Sequence, residues 1–230
     1  MEQAPPSVDS VTGVEWKDVV IDSEPGVSVR IYKPQNVEKV GVLVYIHGGG
    51  FCVESASSTL FHNYLNNLSF KANMIVVSVD YRIAPYYPLP IGYEDSWAAY
   101  EWVFETNHHE LWIRDHTNLS RVYMVGDSAG ANIVHNLAKR VNCVTYPLKG
   151  IILVDPYFWG KDQIGSEEKR VQSIGYSLMD KVWMVACPDS SGLDDSRLNP
   201  RMDHELGELG VDKVLVTVAE LDTLRDRGYY

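Results

Sequence analysis

The sequence predicts an α/β layer fold, in which helices pack on a β-sheet, and two observations support this prediction. Short apolar segments typical of buried strands alternate along the chain with longer segments of helical composition. The composition is that of a folded globular chain, since 45% of the 230 residues are hydrophobic and 22% are charged. This length is enough for a sizeable hydrophobic core, in one large domain or two small ones.

The predicted strands are of two kinds. Residues 14–22 and 27–32 are rich in β-formers and flank a turn-forming quartet at 23–26, so they predict an antiparallel hairpin at one edge of the sheet. Near-continuous apolar runs are typical of strands buried on both faces. Such runs occur at 40–46, 74–79, 122–125, 150–154 and 214–219.

Segments of helical composition lie between these strands, over about 57–71, 93–106, 130–141 and 178–187. Residues 158–210 differ from the rest, because they are rich in Gly, Asp, Ser and Glu and carry only short apolar patches. We expect this segment to be an insertion laid over the sheet rather than a further strand–helix unit.

Charge and composition argue against several classes of protein. The formal net charge of −11 disfavours binding to a phosphate backbone, and no apolar run is long enough for a membrane span. Residues 1–6 lack the features of a secretory signal. The chain has an odd number of cysteines at unrelated spacings: Cys52, Cys143 and Cys187. This pattern predicts reduced thiols rather than disulfides or a metal site. We therefore expect a cytoplasmic protein with no metal and no nucleic-acid or membrane partner.

The first candidate for chemistry is Gly126-Asp127-Ser128-Ala129-Gly130, a G-x-S-x-G pattern between an apolar strand and a helical segment. A serine on a sharp strand-to-helix turn needs glycines on either side for space, and the helix N-terminus favours developing negative charge. The pattern predicts a nucleophilic serine. Alone it is a weak signal, because a glycine-rich turn between a strand and a helix has the same spacing.

The second candidate is His47-Gly48-Gly49-Gly50, directly after the predicted strand 40–46. Acyl transfer needs backbone N–H donors aimed at an oxyanion, and consecutive glycines let two amides turn toward one point. An amide of this loop and the amide of Ala129 would form such a hole. We expect His47 to be structural and to hold the loop by a side-chain hydrogen bond. The alternative is a flexible glycine turn with a capping histidine.

The third candidate is Asp222, just past the predicted strand 214–219. An acid at the end of a later strand is where the carboxylate of a Ser–Asp–His triad belongs in the chain order that starts with the serine. Asp226 lies one helical turn further on and is expected to pair with Arg225 or Arg227. A lone Asp after a strand is commonly a helix N-cap, so that alternative stays open for Asp222.

Together these motifs resemble the hormone-sensitive-lipase-like branch of the α/β-hydrolases, and within it the plant carboxylesterases, whose relatives include gibberellin receptors and 2-hydroxyisoflavanone dehydratases. The resemblance covers nearly the whole chain and also includes DYRIAP at 80–85, YED at 93–95 and AELDTLRDRG at 219–228. It implies a single domain over 1–230 with a mostly parallel twisted sheet, helices on both faces and a partial cap at 158–210.

The resemblance also assigns roles to residues. It implies Ser128 as nucleophile, Asp222 as the acid of the triad, and the amides of Gly49, Gly50 and Ala129 as the oxyanion hole. His47, Gly48, Gly126, Asp127 and Gly130 complete the two motifs as structural residues. The substrate would be a small-molecule ester, and no cofactor is implied.

The chain departs from the family pattern in two respects, because no histidine follows Asp222 and the segment before the first strand is shorter than the one expected from the relatives. We therefore expect a fragment or a shortened gene product that lacks the last strand, the loop with the catalytic base, the final helix and an N-terminal lid, and that is a weak catalyst. His135 is expected to lie too far from Ser128 to act as the base, and His204 is a remote candidate. Four other histidines are expected at the surface: His62, His108, His109 and His116. An uncovered sheet edge would also favour self-association.

Three functions are consistent with the motifs. The first is a serine carboxylesterase that acts through an acyl-enzyme on Ser128. The second is a non-catalytic binding protein of the gibberellin-receptor type, although those proteins resemble HGGS where this chain has Gly50. The third is a lyase of the dehydratase type, although such relatives tend to carry threonine at the position of Ser128. Both positions favour the esterase. Aromatic residues around the insertion suggest either an apolar pocket or plain packing: Tyr157, Phe158, Trp159, Tyr176 and Trp183.

Overall fold

The computed structural model describes residues 7–22, 26–105, 109–165, 167 and 176–229. Within these residues eight strands form one sheet. They are β1 (Ser7–Val8), β2 (Glu15–Asp22), β3 (Val27–Lys33), β4 (Val40–Ile46), β5 (Ile75–Asp80), β6 (Thr117–Asp127), β7 (Gly150–Val154) and β8 (Val214–Thr217). The helices are α1 (Thr59–Ala72), α2 (Ile91–Trp102), α3 (Leu111–His116), α4 (Ala129–Arg140), α5 (Tyr176–Ala186) and α6 (Arg225–Tyr229), with short 3₁₀ turns at Val141–Cys143 and Pro200–Met202.

The strand order is β1-β2-β3-β5-β4-β6-β7-β8, and the sheet is mostly parallel. The pairs β1–β2, β2–β3 and β3–β5 are antiparallel, and every pair from β5 to β8 is parallel. The predicted α/β class and parallel sheet are therefore confirmed. The hairpin of β2 and β3 forms as expected, although the two-residue strand β1 lies outside it.

The parallel strands bring three loops to one edge of the sheet. At their carboxyl ends Ile46 pairs with Gly126, Asp127 pairs with Val154, and Val154 pairs with Thr217. The segments that follow β4, β6 and β8 carry the glycine loop, the serine turn and Asp222. All three candidate motifs thus emerge at the edge where open parallel sheets bind ligands.

The sheet is covered on both faces because its central strands alternate between two cores. Val42 and Val44 of β4 belong to the larger core, which includes residues of α2 and α4. Leu43 and Tyr45 of the same strand face the smaller core, which includes residues of α1. This arrangement explains the near-continuous apolar runs, since both faces of these strands are buried.

The strand β8 is an exception to that rule, and here the prediction is wrong. All four of its residues are exposed, although the run 214–219 was expected to be buried on both faces. The strand is the outermost of the parallel half, and no described residue covers these side chains enough to bury them. An apolar run alone does not distinguish a central strand from an edge strand.

The predicted helices agree with α1, α2, α4 and α5 to within a few residues, except that α2 ends at Trp102 and residue 106 lies outside the described residues. The hairpin turn at 23–25 also lies outside them. The short helix α3 was not predicted, whereas α6 lies where the resemblance implies a helix after Asp222. No helix in the described part of the chain has both the length and the apolarity needed to cross a bilayer.

Candidate active site

Ser128 lies on a strained turn between β6 and α4. Its backbone angles are φ 51° and ψ −115°, a combination that non-glycine residues rarely adopt. Two backbone hydrogen bonds hold the turn, one from the Ser128 N–H to the Val154 carbonyl at 2.8 Å and one from the Tyr157 N–H to the Ser128 carbonyl at 2.9 Å. The strain is therefore fixed by the neighbouring strand β7 and the loop that follows it.

The glycines on either side of Ser128 are required by close approach. A Cβ on Gly130 would overlap the carbonyl oxygen of Ile46, at the end of β4. A Cβ on Gly126 would overlap the backbone of Gly130. Neither glycine has a positive φ. The pattern of glycines around the serine thus reflects how tightly the turn packs against itself and against β4.

In the glycine loop after β4, the amides of Gly49 and Gly50 point away from the groups that hold the carbonyls of their peptide units. The Gly48 carbonyl accepts a hydrogen bond from His47 Nδ1 at 2.7 Å, and the Gly49 carbonyl accepts from the amides of Cys52 and Val53 at 3.0 and 3.1 Å. In a trans peptide the N–H points opposite to the carbonyl of the same unit, so the amides of Gly49 and Gly50 face the other way. Within the described residues neither amide donates to another protein group. They are therefore available to an incoming anion.

Ser128, Gly50 and Asp222 line a single cavity of about 360 Å³. Ala129 begins α4, and its amide is one of the first four of the helix, which have no acceptor within the helix. The cavity is lined by Gly50, Ser128, Tyr157, Met179, Val182, Leu221, Asp222, Thr223 and Leu224. The structure thus brings together residues from three separate loops that the sequence singled out.

Asp222 is half-buried in the turn between β8 and α6. Its Oδ1 accepts a hydrogen bond from the Leu224 N–H at 2.6 Å. This bond stabilises the turn, as expected of an aspartate near a helix start, and the residue also faces the cavity. Because α6 begins at Arg225, Asp222 closes the turn before the helix and is not its N-cap residue. Asp226 pairs with Arg225, with 2.7 Å between Nη2 and Oδ1.

No histidine lines the cavity of Ser128 in the described part of the chain. His47 is fully buried, its ring stacks on Tyr81 at 4.3 Å, and burial lowers its pKa. His135 lines a separate cavity of about 320 Å³ and packs against Phe158 with ring centroids 5.1 Å apart. Burial lowers the pKa of His135 to about 4, so it is neutral at pH 7.

The remaining histidines differ in part from expectation. His109 and His204 are exposed. His62 and His116 are half-buried rather than at the surface, because His62 Nδ1 lies 3.1 Å from the Tyr32 hydroxyl and His116 Nδ1 lies 2.8 Å from the Val37 carbonyl. His108 lies outside the described residues. Neighbours distant in the chain bury these rings, which the local sequence does not reveal.

The helix α5 supplies part of the wall of the cavity. Met179 and Val182 are three residues apart on this helix and both face the cavity. The Tyr157 hydroxyl donates to the Met179 carbonyl at 2.5 Å and so ties the helix to the loop after β7. The sequence predicts an insertion over the sheet but does not distinguish these two residues from their neighbours. Their spacing on an apolar helix was the available signal.

The aromatic residues of this region are mostly packing. Trp159 and Trp183 are completely buried, and Trp159 donates from Nε1 to Asp180 Oδ1 at 2.7 Å. Tyr157 alone among the five lines the cavity of Ser128, and the side chain of Tyr176 lies outside the described residues. Over the described ranges, no group of three or more His, Cys, Asp or Glu side chains could hold a metal ion.

Comparison with known proteins gives a consistent result. A family profile described as "alpha/beta hydrolase fold" matches residues 43–230. The chain is 43% identical over 238 residues to a protein of Arabidopsis thaliana named probable carboxylesterase 2, with 100% of this chain and 74% of that protein covered. It is 41% identical over 235 residues to the 2-hydroxyisoflavanone dehydratase of Glycine max, with 95% and 73% covered.

Solved structures of esterases share the fold. A hyperthermophilic esterase from the archaeon Pyrobaculum calidifontis superposes with a TM-score of 0.78 at 27% sequence identity. The superposition covers 93% of this chain and 67% of that one.

Proposed function

The chain belongs to the α/β-hydrolase family, alongside the plant carboxylesterases, and on that premise we propose that it acts on small acyl esters through an acyl-enzyme on Ser128. The family makes it a carboxylic ester hydrolase. We assign the catalytic roles to individual residues because Ser128, Gly50 and Asp222 line a single cavity. The strained turn of Ser128 and the amides of Gly49 and Gly50, which have no acceptor among the described residues, support this assignment.

In the proposed reaction, Ser128 Oγ attacks the ester carbonyl carbon and a tetrahedral oxyanion forms. The C–O bond to the alcohol then breaks, the alcohol oxygen takes up the proton that Ser128 lost, directly or through water, and the acyl-enzyme remains. The amides of Gly49, Gly50 and Ala129 donate to the oxyanion that forms, and this is usually a large contribution to rate. Water then attacks the acyl-enzyme and releases the acid. His47, Gly48, Gly126, Asp127 and Gly130 maintain the two loops.

The general base of this reaction is not among the residues that line the described cavity. Asp222 would orient a histidine there, yet all seven histidines of the sequence precede Asp222, and His135 faces another cavity. Without a base the serine hydroxyl is a poor nucleophile. We therefore propose that these 230 residues alone turn over slowly, by the oxyanion hole and binding, on the order of 10³–10⁴ over water.

The absence of a histidine from the described cavity favours one alternative, a non-catalytic protein that binds a small molecule at the same place. Gly50 argues against it, since the gibberellin receptors resemble HGGS there. A dehydratase-type lyase is the other alternative, because a relative of 41% identity bears that name. Ser128 argues against it, since those relatives tend to carry threonine.

Labelling of the serine separates these functions. Because the described cavity supplies no base, we expect a fluorophosphonate probe to modify Ser128 only slowly and p-nitrophenyl acetate to release p-nitrophenol slowly, and Ser128→Ala should abolish both reactions. Ser120→Ala is a matched control, because Ser120 is an exposed serine in the first half of β6, whereas Ser128 follows the end of that strand. A protein that binds the ester reversibly but is never modified at Ser128 would support the binding protein and overturn the esterase.

Two further properties are proposed from the sequence. The free thiols of Cys52, Cys143 and Cys187 support a reducing, cytosolic environment. The exposed apolar strand β8 supports self-association of the chain through its sheet edge.

A further inference from the structure

The carboxylate of Asp127 joins the glycine loop, residues 47–53, to the turn that carries Ser128. Its Oδ1 accepts hydrogen bonds from the Gly48 N–H at 2.9 Å and from the Tyr45 hydroxyl at 2.7 Å. Asp127 immediately precedes Ser128 in the chain, and Gly48 immediately precedes Gly49. One side chain therefore connects the residue before the serine with the residue before the proposed oxyanion donors.

The contact leaves no room for another residue at position 48. A Cβ on Gly48 would overlap Asp127 Oδ2 and would lie 3.0 Å from the Asp127 carbonyl oxygen. Gly48 does not have a positive φ, in contrast to Gly49 and Gly50, so the turn itself does not require glycine there. The absence of a side chain at Gly48 is thus explained by the approach of the Asp127 carboxylate.

The other peptide groups of the loop are held as well. The Gly48 carbonyl accepts from His47 Nδ1, and the Tyr81 hydroxyl donates to the His47 carbonyl at 3.0 Å. Gly48 is therefore held at both of its peptide groups: its N–H is bonded to Asp127, and its carbonyl is bonded to His47. The direction of the Gly49 amide depends on both bonds. Oxyanion donors are effective only when they are fixed before the reaction.

We infer that Asp127 is a positioning residue, which holds Gly48 and thereby the amides of Gly49 and Gly50 in place relative to Ser128. The inference rests on the proposed function. It adds that the reaction also depends on Asp127, which does not line the cavity of Ser128. Burial raises the pKa of Asp127, so its carboxylate is partly desolvated. A desolvated carboxylate is costly unless it is hydrogen-bonded, and here the two donors supply that compensation.

Hydrogen exchange tests the positioning without any need for activity. In Asp127→Ala, we expect the amides of the peptide that covers 47–53 to exchange at least about tenfold faster, because Gly48 loses its acceptor. Asp127→Asn retains an oxygen at the same place and should exchange like the parent. Asp203→Ala is the matched control, because it removes another buried carboxylate, bonded to Lys139, elsewhere in the fold.

The rate of fluorophosphonate labelling at Ser128 supplies the chemical readout. We expect Asp127→Ala to lower the labelling rate about 10- to 100-fold. This decrease does not exceed the rate decrease caused by removal of one oxyanion donor, because the donors remain and only their positions change. The Kd of an unreactive aryl ether of similar size should not change, and Asp127→Asn should restore labelling to within about threefold of the parent.

The inference is overturned if Asp127→Ala exchanges like the parent, or if Asp127→Asn loses as much labelling as Asp127→Ala. If even the parent is not labelled, the proposed function fails, whereas the exchange experiment still decides whether Asp127 positions the loop. Should Asp127→Ala not fold, Asp127→Ser replaces it, because its shorter side chain also withdraws the acceptor from the Gly48 N–H. Exchange and labelling of Asp127→Ser at the parent level would then overturn the inference.

Discussion

Gly130 lies where α4 passes the end of β4, and its missing side chain permits that approach. A Cβ there would overlap the Ile46 carbonyl oxygen and would lie 2.7 Å from the His47 carbonyl oxygen. We expect Gly130→Ala to lower the free energy of unfolding by about 3 kcal/mol and to reduce Ser128 labelling, since the turn must shift. Urea unfolding measures this against Gly207→Ala, where a Cβ meets nothing within 4 Å. Equal unfolding free energies for the two variants would contradict the argument.

His135 predicts how stability depends on pH. Burial, and then the nearby charge of Lys139, lower its pKa from 6.5 to about 4, while Asp203 opposes this shift. Between these values the unfolded chain binds a proton that the folded chain does not, so this contribution to stability is lost as the pH falls from 6.5 toward 4. It amounts to about 2 kcal/mol between pH 7 and pH 4.5.

Urea unfolding at pH 7 and pH 4.5 isolates this contribution by difference. His135→Gln should lose about 2 kcal/mol less than the parent on acidification. His109→Gln, a change of the same kind at an exposed residue, should follow the parent. Identical acid dependence in His135→Gln and the parent would show that His135 titrates normally.

At the scale of elements, β8 differs most from what its sequence indicates. Its run of apolar residues is like those of the buried strands, yet Leu215 is 53% exposed. The strand pairs with β7 along one side and is the last strand of the described sheet. A free edge flanked by exposed apolar side chains is a template for pairing with another chain.

This edge predicts concentration-dependent self-association of the 230-residue chain. We expect Leu215→Lys to shift the population toward monomer at micromolar concentration, because a charge on an edge strand opposes strand pairing. Leu60→Lys introduces the same charge on α1 at a residue that is 70% exposed, and should leave the association unchanged. Size-exclusion chromatography with light scattering measures both. A monomeric parent would refute the proposal.

At the scale of the whole molecule, what could be predicted from the sequence is what local patterns encode. Apolar runs predict the strands β4, β5 and β7, and helical composition predicts the helices α1 and α4. These predictions succeed because the elements lie centrally in the fold, where an apolar residue is also a buried one. The meeting of Ser128 with Gly50 and Asp222 follows from parallel strands that share one edge. That Met179 lines the cavity of Ser128 could not be predicted, because it depends on how α5 packs against residues distant in the chain, such as Tyr157.

A buried ion pair connects the end of the described chain with the segment after β7. Arg227 on α6 and Glu167 are 4% and 0% exposed, and their Nε and Oε1 atoms lie 2.5 Å apart. A second bond, from Arg227 Nη2 to Glu167 Oε2, measures 2.9 Å. Removal of one partner of such a pair leaves an uncompensated buried charge, which costs far more than the loss of a surface pair.

We therefore expect Glu167→Ala to lower the free energy of unfolding by about 3 kcal/mol. Asp212→Ala breaks an exposed pair with Lys149 and should change it by less than about 0.5 kcal/mol. Because α6 follows the turn that holds Asp222, Glu167→Ala should also alter the cavity of Ser128 and slow its labelling. Urea unfolding and the labelling rate measure the two effects. If Glu167→Ala were as mild as Asp212→Ala, the pair would not tie α6 to the rest of the fold.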